Sequence, residues 1–249
     1  MEGKIHIGTS GWSYGHWMGT FYPSDTKQKD RFAYFQQYLN TVELNSPFYH
    51  LPPKKTFEKW YNDVPPDFVY AVKASRFITH MKKLHDVGES LTLFLDNASA
   101  LQEKLSIVLF QLPPGWQADV DRFEDFLQLL PAGGRYTFEF RNPTWYIDEV
   151  YYLLEKYNCA FCIYELAGHM SPIKTTADYV YIRLHGPGDK YQGKYSDRVL
   201  QEWADKCKAW AAEGKDVYVY FDNDERGYAA FNAITLKEMV APHPSPSPK

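Results

Sequence analysis

Seven ionisable residues recur at equivalent places: Glu43, Lys73, Glu139, Arg141, Arg183, His185 and Asp222 each lie at or just past the end of a short apolar run. A carboxylate among arginines, a lysine and a histidine suits an anionic ligand. Arginine grips a carboxylate or phosphate through paired N–H donors, and lysine and histidine add charge and a mobile proton. Glu139 is the candidate general acid/base and His185 a second proton-transfer group. Lys73, Arg141 and Arg183 are candidates to hold the anion or to stabilise negative charge as it develops. The loop HGPGDKYQG that runs on from His185 is rich in glycine, which permits close backbone approach, but it lacks the Lys-Ser/Thr ending of a phosphate-cradling Walker loop. The competing reading is a buried network of mutually paired charges with no chemistry.

Other residue types narrow the choice. Glu43, Glu139 and Asp222, with His185, can ligate a divalent metal and activate water, but basic neighbours compete for the carboxylates and no H-x-x-x-H or cysteine cluster supports them. The expectation is a site with no cofactor and no tightly bound metal. Gly8-Thr9-Ser10-Gly11 is not a nucleophile elbow, so Thr9 and Ser10 are read as hydrogen-bond donors to a ligand. Asn45, Gln111 and Asn223 extend the polar, substrate-binding set. Aromatic residues crowd the loops after the strands, and Trp12 and Trp145, each beside a polar strand end, are the stacking candidates among them.

The elements that must position these groups are short strands alternating with helices. Strands are expected at Ile5–Gly8, Thr41–Leu44, Val69–Lys73, Ile107–Gln111, Tyr136–Phe140, Cys159–Tyr164, Tyr179–Leu184 and Val217–Phe221. Apolar spacing of three and four predicts helices at Asp30–Leu39, Ser90–Leu105, Val120–Leu130, Ile147–Tyr157 and Ser196–Ala212. The link between the sixth and seventh strands, with Gly168 and Pro172, is too irregular for one. Eight β/α units in a chain of 249 residues point to an α/β fold, a TIM-type (β/α)8 barrel. An open doubly wound sheet is the rival, without a G-x-G-x-x-G after the first strand to support it. One domain over residues 1–240 and a Pro/Ser-rich tail over 241–249 are expected.

Strand parity locates the site. Val42 and Leu44, Phe138 and Phe140, and Val180, Ile182 and Leu184 should face helices, which turns Glu43, Glu139, Arg141, Arg183 and His185 into the barrel. The polar residues gather at the carboxyl ends of the strands, where barrel enzymes carry their active sites.

Lys+Arg of 27 against Asp+Glu of 31 gives a formal charge of −4, which disfavours duplex nucleic acid held by bulk positive charge. No signal-like amino terminus and no membrane-length apolar run is present, and the cysteines are Cys159, Cys162 and Cys207, so a reducing cytoplasm is expected. Cys159 and Cys162, three apart on one strand, should point to opposite faces and serve structure only.

The segments GTSGWSYGHWMGTFYP, VELNSPFY, VKASRFITH, LFQLPPGW, FEFRNPTW, IRLHG and YFDNDERGYAAFNA, in that order from about Ile5 to Leu236, resemble the YecE-like family, domain of unknown function number 72. The resemblance implies a TIM-type barrel and no established reaction. Family members usually carry two asparagines after the final aromatic pair, where this chain has Asp222 and Asn223. The residues and the resemblance together lead to an expected enzyme acting on a small anionic substrate by hydrolysis, isomerisation or elimination. A nucleic-acid-processing barrel and a non-catalytic ligand binder are the alternatives.

Overall fold

A computed structural model describes residues 1–241, so all but the first residue of the expected tail lies outside the described residues. Eight parallel strands form a closed ring: β1 (Ile5–Ser10), β2 (Thr41–Leu44), β3 (Val69–Lys73), β4 (Leu105–Leu112), β5 (Tyr136–Phe140), β6 (Ala160–Leu166), β7 (Tyr179–Leu184) and β8 (Asp216–Phe221). Each pairs with its neighbours in sequence, and β8 returns to β1 through Ile5↔Val217 to Thr9↔Phe221. This is the α/β TIM-barrel fold. Gly8 is needed where β1 meets β2, because a Cβ there would lie 2.2 Å from the Thr41 carbonyl oxygen.

Helices α1 (Arg31–Phe35), α2 (Lys54–Asn62), α3 (Gly88–Ala98), α4 (Val120–Gln128), α5 (Asp148–Lys156), α6 (Asp197–Ala212) and α7 (Tyr228–Val240) surround the ring. In α4 the 3-4 spacing buries Phe123, Phe126 and Leu127 on one side, and the Asp119 carboxylate caps the Arg122 N–H. Burying each such side chain is worth about 1.5–3 kcal/mol. The Ser196 hydroxyl accepts the Val199 N–H and starts α6 in the same way. Helix α1 is shorter than the spacing suggested, because the chain leaves the helix after Phe35 and continues as turns. Between β6 and β7 no helix forms. Ala167 and Gly168 take positive φ, His169–Met170 folds back antiparallel on β6, and Thr176 ties the return to the Phe161 N–H and the Cys159 carbonyl.

Two packed shells follow from strand parity. Val42, Leu44, Phe138, Phe140, Ile182 and Leu184 belong to the shell between strands and helices. Ala71, Leu109, Cys162, Tyr181, Tyr218 and Tyr220 fill the lumen. Cys159 lies in the outer shell and Cys162 in the inner one. Both thiols are free and buried, and burial pushes Cys159 up to about 12. Among the described residues no helix is long and apolar enough to cross a membrane.

Candidate functional site at the carboxyl mouth

The register sets the level of the site. Ser10 is paired with Glu43, Gln111 with Glu139, and Tyr164 with Arg183. All of these positions are near the carboxyl ends of their strands. Parallel pairing with alternating side chains therefore brings residues far apart in sequence to one height in the lumen.

Arg183 is the hub and is 1% exposed. Its Nε donates to Glu43 Oε2 at 2.9 Å and its Nη2 to Glu43 Oε1 at 2.7 Å, a two-pronged grip. Its Nη1 donates to Glu139 Oε2 at 2.6 Å, and its Nη2 also reaches Asp222 Oδ2 at 3.3 Å and Ser10 Oγ at 3.2 Å. Below the hub the Tyr181 hydroxyl donates to Glu43 Oε2 at 2.6 Å. The Ser10 hydroxyl donates to Glu43 Oε1 at 2.6 Å, so the fully buried Glu43 is satisfied by Arg183, Tyr181 and Ser10.

Arg141 sits one level higher. Its Nε donates to Glu139 Oε1, its Nη2 to His185 Nε2 at 3.0 Å, and its guanidinium lies over the Tyr164 ring, 4.7 Å from the centroid. A guanidinium only donates, so His185 Nε2 is an acceptor. The ring's remaining proton is then on Nδ1, which donates to Asp222 Oδ2 at 2.9 Å. His185 and Asp222 form a dyad whose basic nitrogen points at Arg141.

Burial alone would raise the Glu139 carboxyl, but Arg141 and Arg183, with His185, hold it well below the usual carboxylate range. Glu139 is therefore a fixed anion that orients two arginines. Its carboxylate is fully buried and paired on both oxygens, to Arg141 and Arg183. Asp222 is likewise held low, burial being outweighed by His185 and Arg183.

Lys73 is at the same mouth and differs from both arginines. Its Nζ donates to Gln111 Oε1 at 2.7 Å and lies 4.2 Å from the centre of the Phe48 ring. Among the described residues no carboxylate lies within ion-pair distance of it. Burial, and then Arg183, bring its ammonium down to about 8.

Above these groups a cavity of about 390 Å³ is lined by Arg141, Gln111, Tyr164, His169, Lys190 and Tyr191, with Pro114 and Leu166 completing it. Among the described residues no aspartate or glutamate lines it. Tyr191 lies edge-on to His185, with 5.6 Å between centroids. Its loop is folded back by Gly186, whose φ of +109° and 2.1 Å Cβ approach to the Gln192 carbonyl exclude any side chain.

Not every expected site residue is here. Thr9 has the parity of Ile7, and its hydroxyl donates to the Gly11 carbonyl, so it is outside the pocket. Trp145 has no surface for a ligand: it stacks on Phe140 in the outer shell, with its indole N–H on the Trp116 carbonyl. Trp12 is half-buried against Phe32. The Asn223 amide donates to the Gly193 carbonyl and to Asn232 Oδ1, which anchors the 186–195 loop. Asn45 opens the one-turn helix Ser46–Tyr49, and its buried side-chain oxygen has no partner. Among the described residues no group of three or more His, Cys, Asp or Glu is placed to hold an ion, because Arg183 occupies the space between the carboxylates.

Sequence reasoning missed Tyr164, His169 and Lys190. Tyr164 shares the inward parity of Cys162 and could have been found from it. His169 and Lys190 are in irregular loops with no periodicity to read.

The sequence model of a family described as "Protein of unknown function DUF72" matches residues 6–249. The UPF0759 protein YunF of Bacillus subtilis is 25% identical over 278 residues, spanning 95% of this chain and 94% of its own. UPF0759 protein YecE of Escherichia coli is 26% identical over 143 residues, 57% of this chain and 50% of its own. The solved structure of a DUF72 family protein from Thermotoga maritima superposes with a TM-score of 0.86 at 28% identity, covering 95% of this chain and 99% of that one. A DUF72 family protein from Enterococcus faecalis, at 19% identity and a TM-score of 0.81, shares the fold over 98% of both chains.

Proposed function

The chain belongs to the DUF72 family, and from that premise we propose that its carboxyl mouth, carried by one barrel domain over residues 1–240, binds a small anionic substrate and works on it by proton transfer. The observation that carries this reading is the lining of the mouth cavity. Arg141, Lys190 and His169 face it and no carboxylate does, whereas the charges sealed below it are matched. A phosphate or carboxylate entering there meets donors without a competing anion.

Arg141 links binding to chemistry. A ligand oxyanion competes for the same guanidinium that occupies His185 Nε2. When Arg141 turns to the ligand, His185 keeps its Nδ1–H on Asp222, and its Nε2 retains only the long 3.4 Å contact from Arg183 Nη1. Glu139 remains ionised on Arg183 and keeps the hub in place. His185 is the proton acceptor in this scheme, and Glu139 and Arg183 position it.

Calorimetric titration with inorganic phosphate and pyrophosphate tests the reading. Wild-type protein should bind one anion, and Arg141→Lys, which keeps charge but loses the fork, should weaken it roughly ten- to a hundred-fold, the equivalent of about 1.5–3 kcal/mol. Absence of binding, or affinity indifferent to Arg141, would overturn it.

A further inference from the structure

We infer that Lys73 is a carbonyl-capturing amine, and that the mouth takes a small aldehyde or ketone bearing a carboxylate or phosphate. The inference rests on the anion-binding reading above and names the substrate's reactive group. It begins from the contrast between Lys73 and its neighbours. Arg183 and Arg141 are both anchored on carboxylates, whereas Lys73 has only the Gln111 amide oxygen and the face of Phe48. A lysine buried to 8% exposure without an ion pair is a costly arrangement for stability alone. It is also how an amine is kept nucleophilic, desolvated and close to other cations.

The charged groups around it come from every side. Arg183 of β7 is the cation, and Glu139 of β5, Glu43 of β2 and Asp222 of β8 oppose it from a distance, while His80 in the turn after β3, brought to about 4, is uncharged at neutral pH. Burial and Arg183 prevail and bring the ammonium to about 8. At pH 7 such a group is free amine in roughly one molecule in ten, against roughly one in a few thousand for an ordinary lysine. Gln111, which accepts its hydrogen bond, lines the mouth cavity together with Arg141. Lys73 is set one hydrogen bond behind the cavity lining, through Gln111, so a short molecule held by an oxyanion on Arg141 would present its carbonyl to the amine past that amide.

The step balances without a further reactant. The amine lone pair attacks the carbonyl carbon, the C–N bond forms and the carbonyl pair moves to oxygen. The C–O bond then breaks, both amine protons leave with the oxygen as water, and a C=N bond remains.

The test is reductive trapping. Protein is incubated with glyoxylate or pyruvate and cyanoborohydride at pH 7, with acetaldehyde as the probe lacking an anion, and peptides are mapped by mass. Lys73 should be labelled at least ten-fold faster than the exposed Lys29 and Lys54, faster by glyoxylate than by acetaldehyde, and more slowly with inorganic phosphate present. Lys73→Met should lose that label, and a cooperative urea transition reports that the variant is folded. Labelling spread over exposed lysines while phosphate binding still depends on Arg141 overturns this inference alone. No label at Lys73 together with no phosphate binding overturns both readings. Rapid labelling of Lys73 without phosphate protection upholds the amine and removes the anion.

Discussion

At the amino end of the strands a cavity of about 620 Å³ opens between Lys4, His6, Asp67, Glu103, Arg135 and Asp216, and at the carboxyl end the one beside Arg141 measures about 390 Å³. The amino-end cavity is the larger, yet its lining carries both signs. Arg135 is already held by Asp216 at 2.7 Å and by the Tyr218 hydroxyl at 2.9 Å. At the carboxyl end Glu43 and Glu139 are sealed on Arg183, and the described residues lining the cavity include Arg141, His169 and Lys190 and no carboxylate. The two ends differ in the sign of the charge that lines their cavities as well as in size. The axis also separates two kinds of ion pair. Arg183 is 2% exposed in its side chain and surrounded by carboxylates, whereas the Arg135 and Asp216 side chains are 35% and 23% exposed.

The largest effect should come from breaking the two arginines. Arg183→Met strands Glu43 and Glu139 in the lumen and should cost about 3–5 kcal/mol. Arg135→Met breaks a half-exposed pair and should cost about 0–1 kcal/mol. Urea unfolding of both variants checks this, and equal losses would erase the distinction between the ends.

A second contrast is in pH. Burial brings His6, at the amino end, to about 4, and burial with Lys73 and Arg76 brings His80, at the mouth, to about 4. Both are depressed below the unfolded value of about 6.5. Between those values the unfolded chain binds more protons, so their stabilising contribution is complete above pH 6.5 and is lost as pH falls toward 4. Urea midpoints should drop between pH 7 and 5, and His6→Gln or His80→Gln should each flatten part of that drop. A midpoint independent of pH over that window would contradict both burials.

The smallest effect sharpens the boundary of the site. Thr9→Val removes one hydroxyl-to-carbonyl bond outside the pocket and should cost about 1 kcal/mol of stability while leaving phosphate affinity unchanged. A change in affinity would return Thr9 to the site.

What the sequence showed of this arrangement was its parity. Val42 and Leu44 outward implied Glu43 inward, and Ile182 and Leu184 outward implied Arg183 and His185 inward, and both pairs stand so. Thr9 shares the parity of Ile7, and the strand rather than the hydroxyl sets which side it faces. The ranks within the pocket were not legible. Glu139 and Lys73 look equivalent in sequence, and only the lateral register shows that one has two arginines and the other none. Trp145 follows Arg141 closely, but a 3-10 turn at Pro143–Trp145 carries its indole beneath α4, and loop paths leave no periodic trace. Helix α7 escaped for a different reason. Ala229, Ala230, Ala233 and Leu236 are buried along one face of it, but Asn232 is buried too and the apolar Phe231 is exposed on the far side, so no clean polar stripe marks its period.

The central claim is that an anion is received at the carboxyl mouth through Arg141 and there releases His185. NMR of the histidine ring nitrogens and arginine Nε–H groups, followed as inorganic phosphate is added, tests it most directly. The account predicts that the Arg141 Nε–H and the His185 Nε2 resonances move together and saturably, with His185 retaining its Nδ1 proton, while His6 and Arg135 stay still. Movement of His6 and Arg135 with His185 and Arg141 unchanged would put the anion at the other end of the barrel and contradict the account.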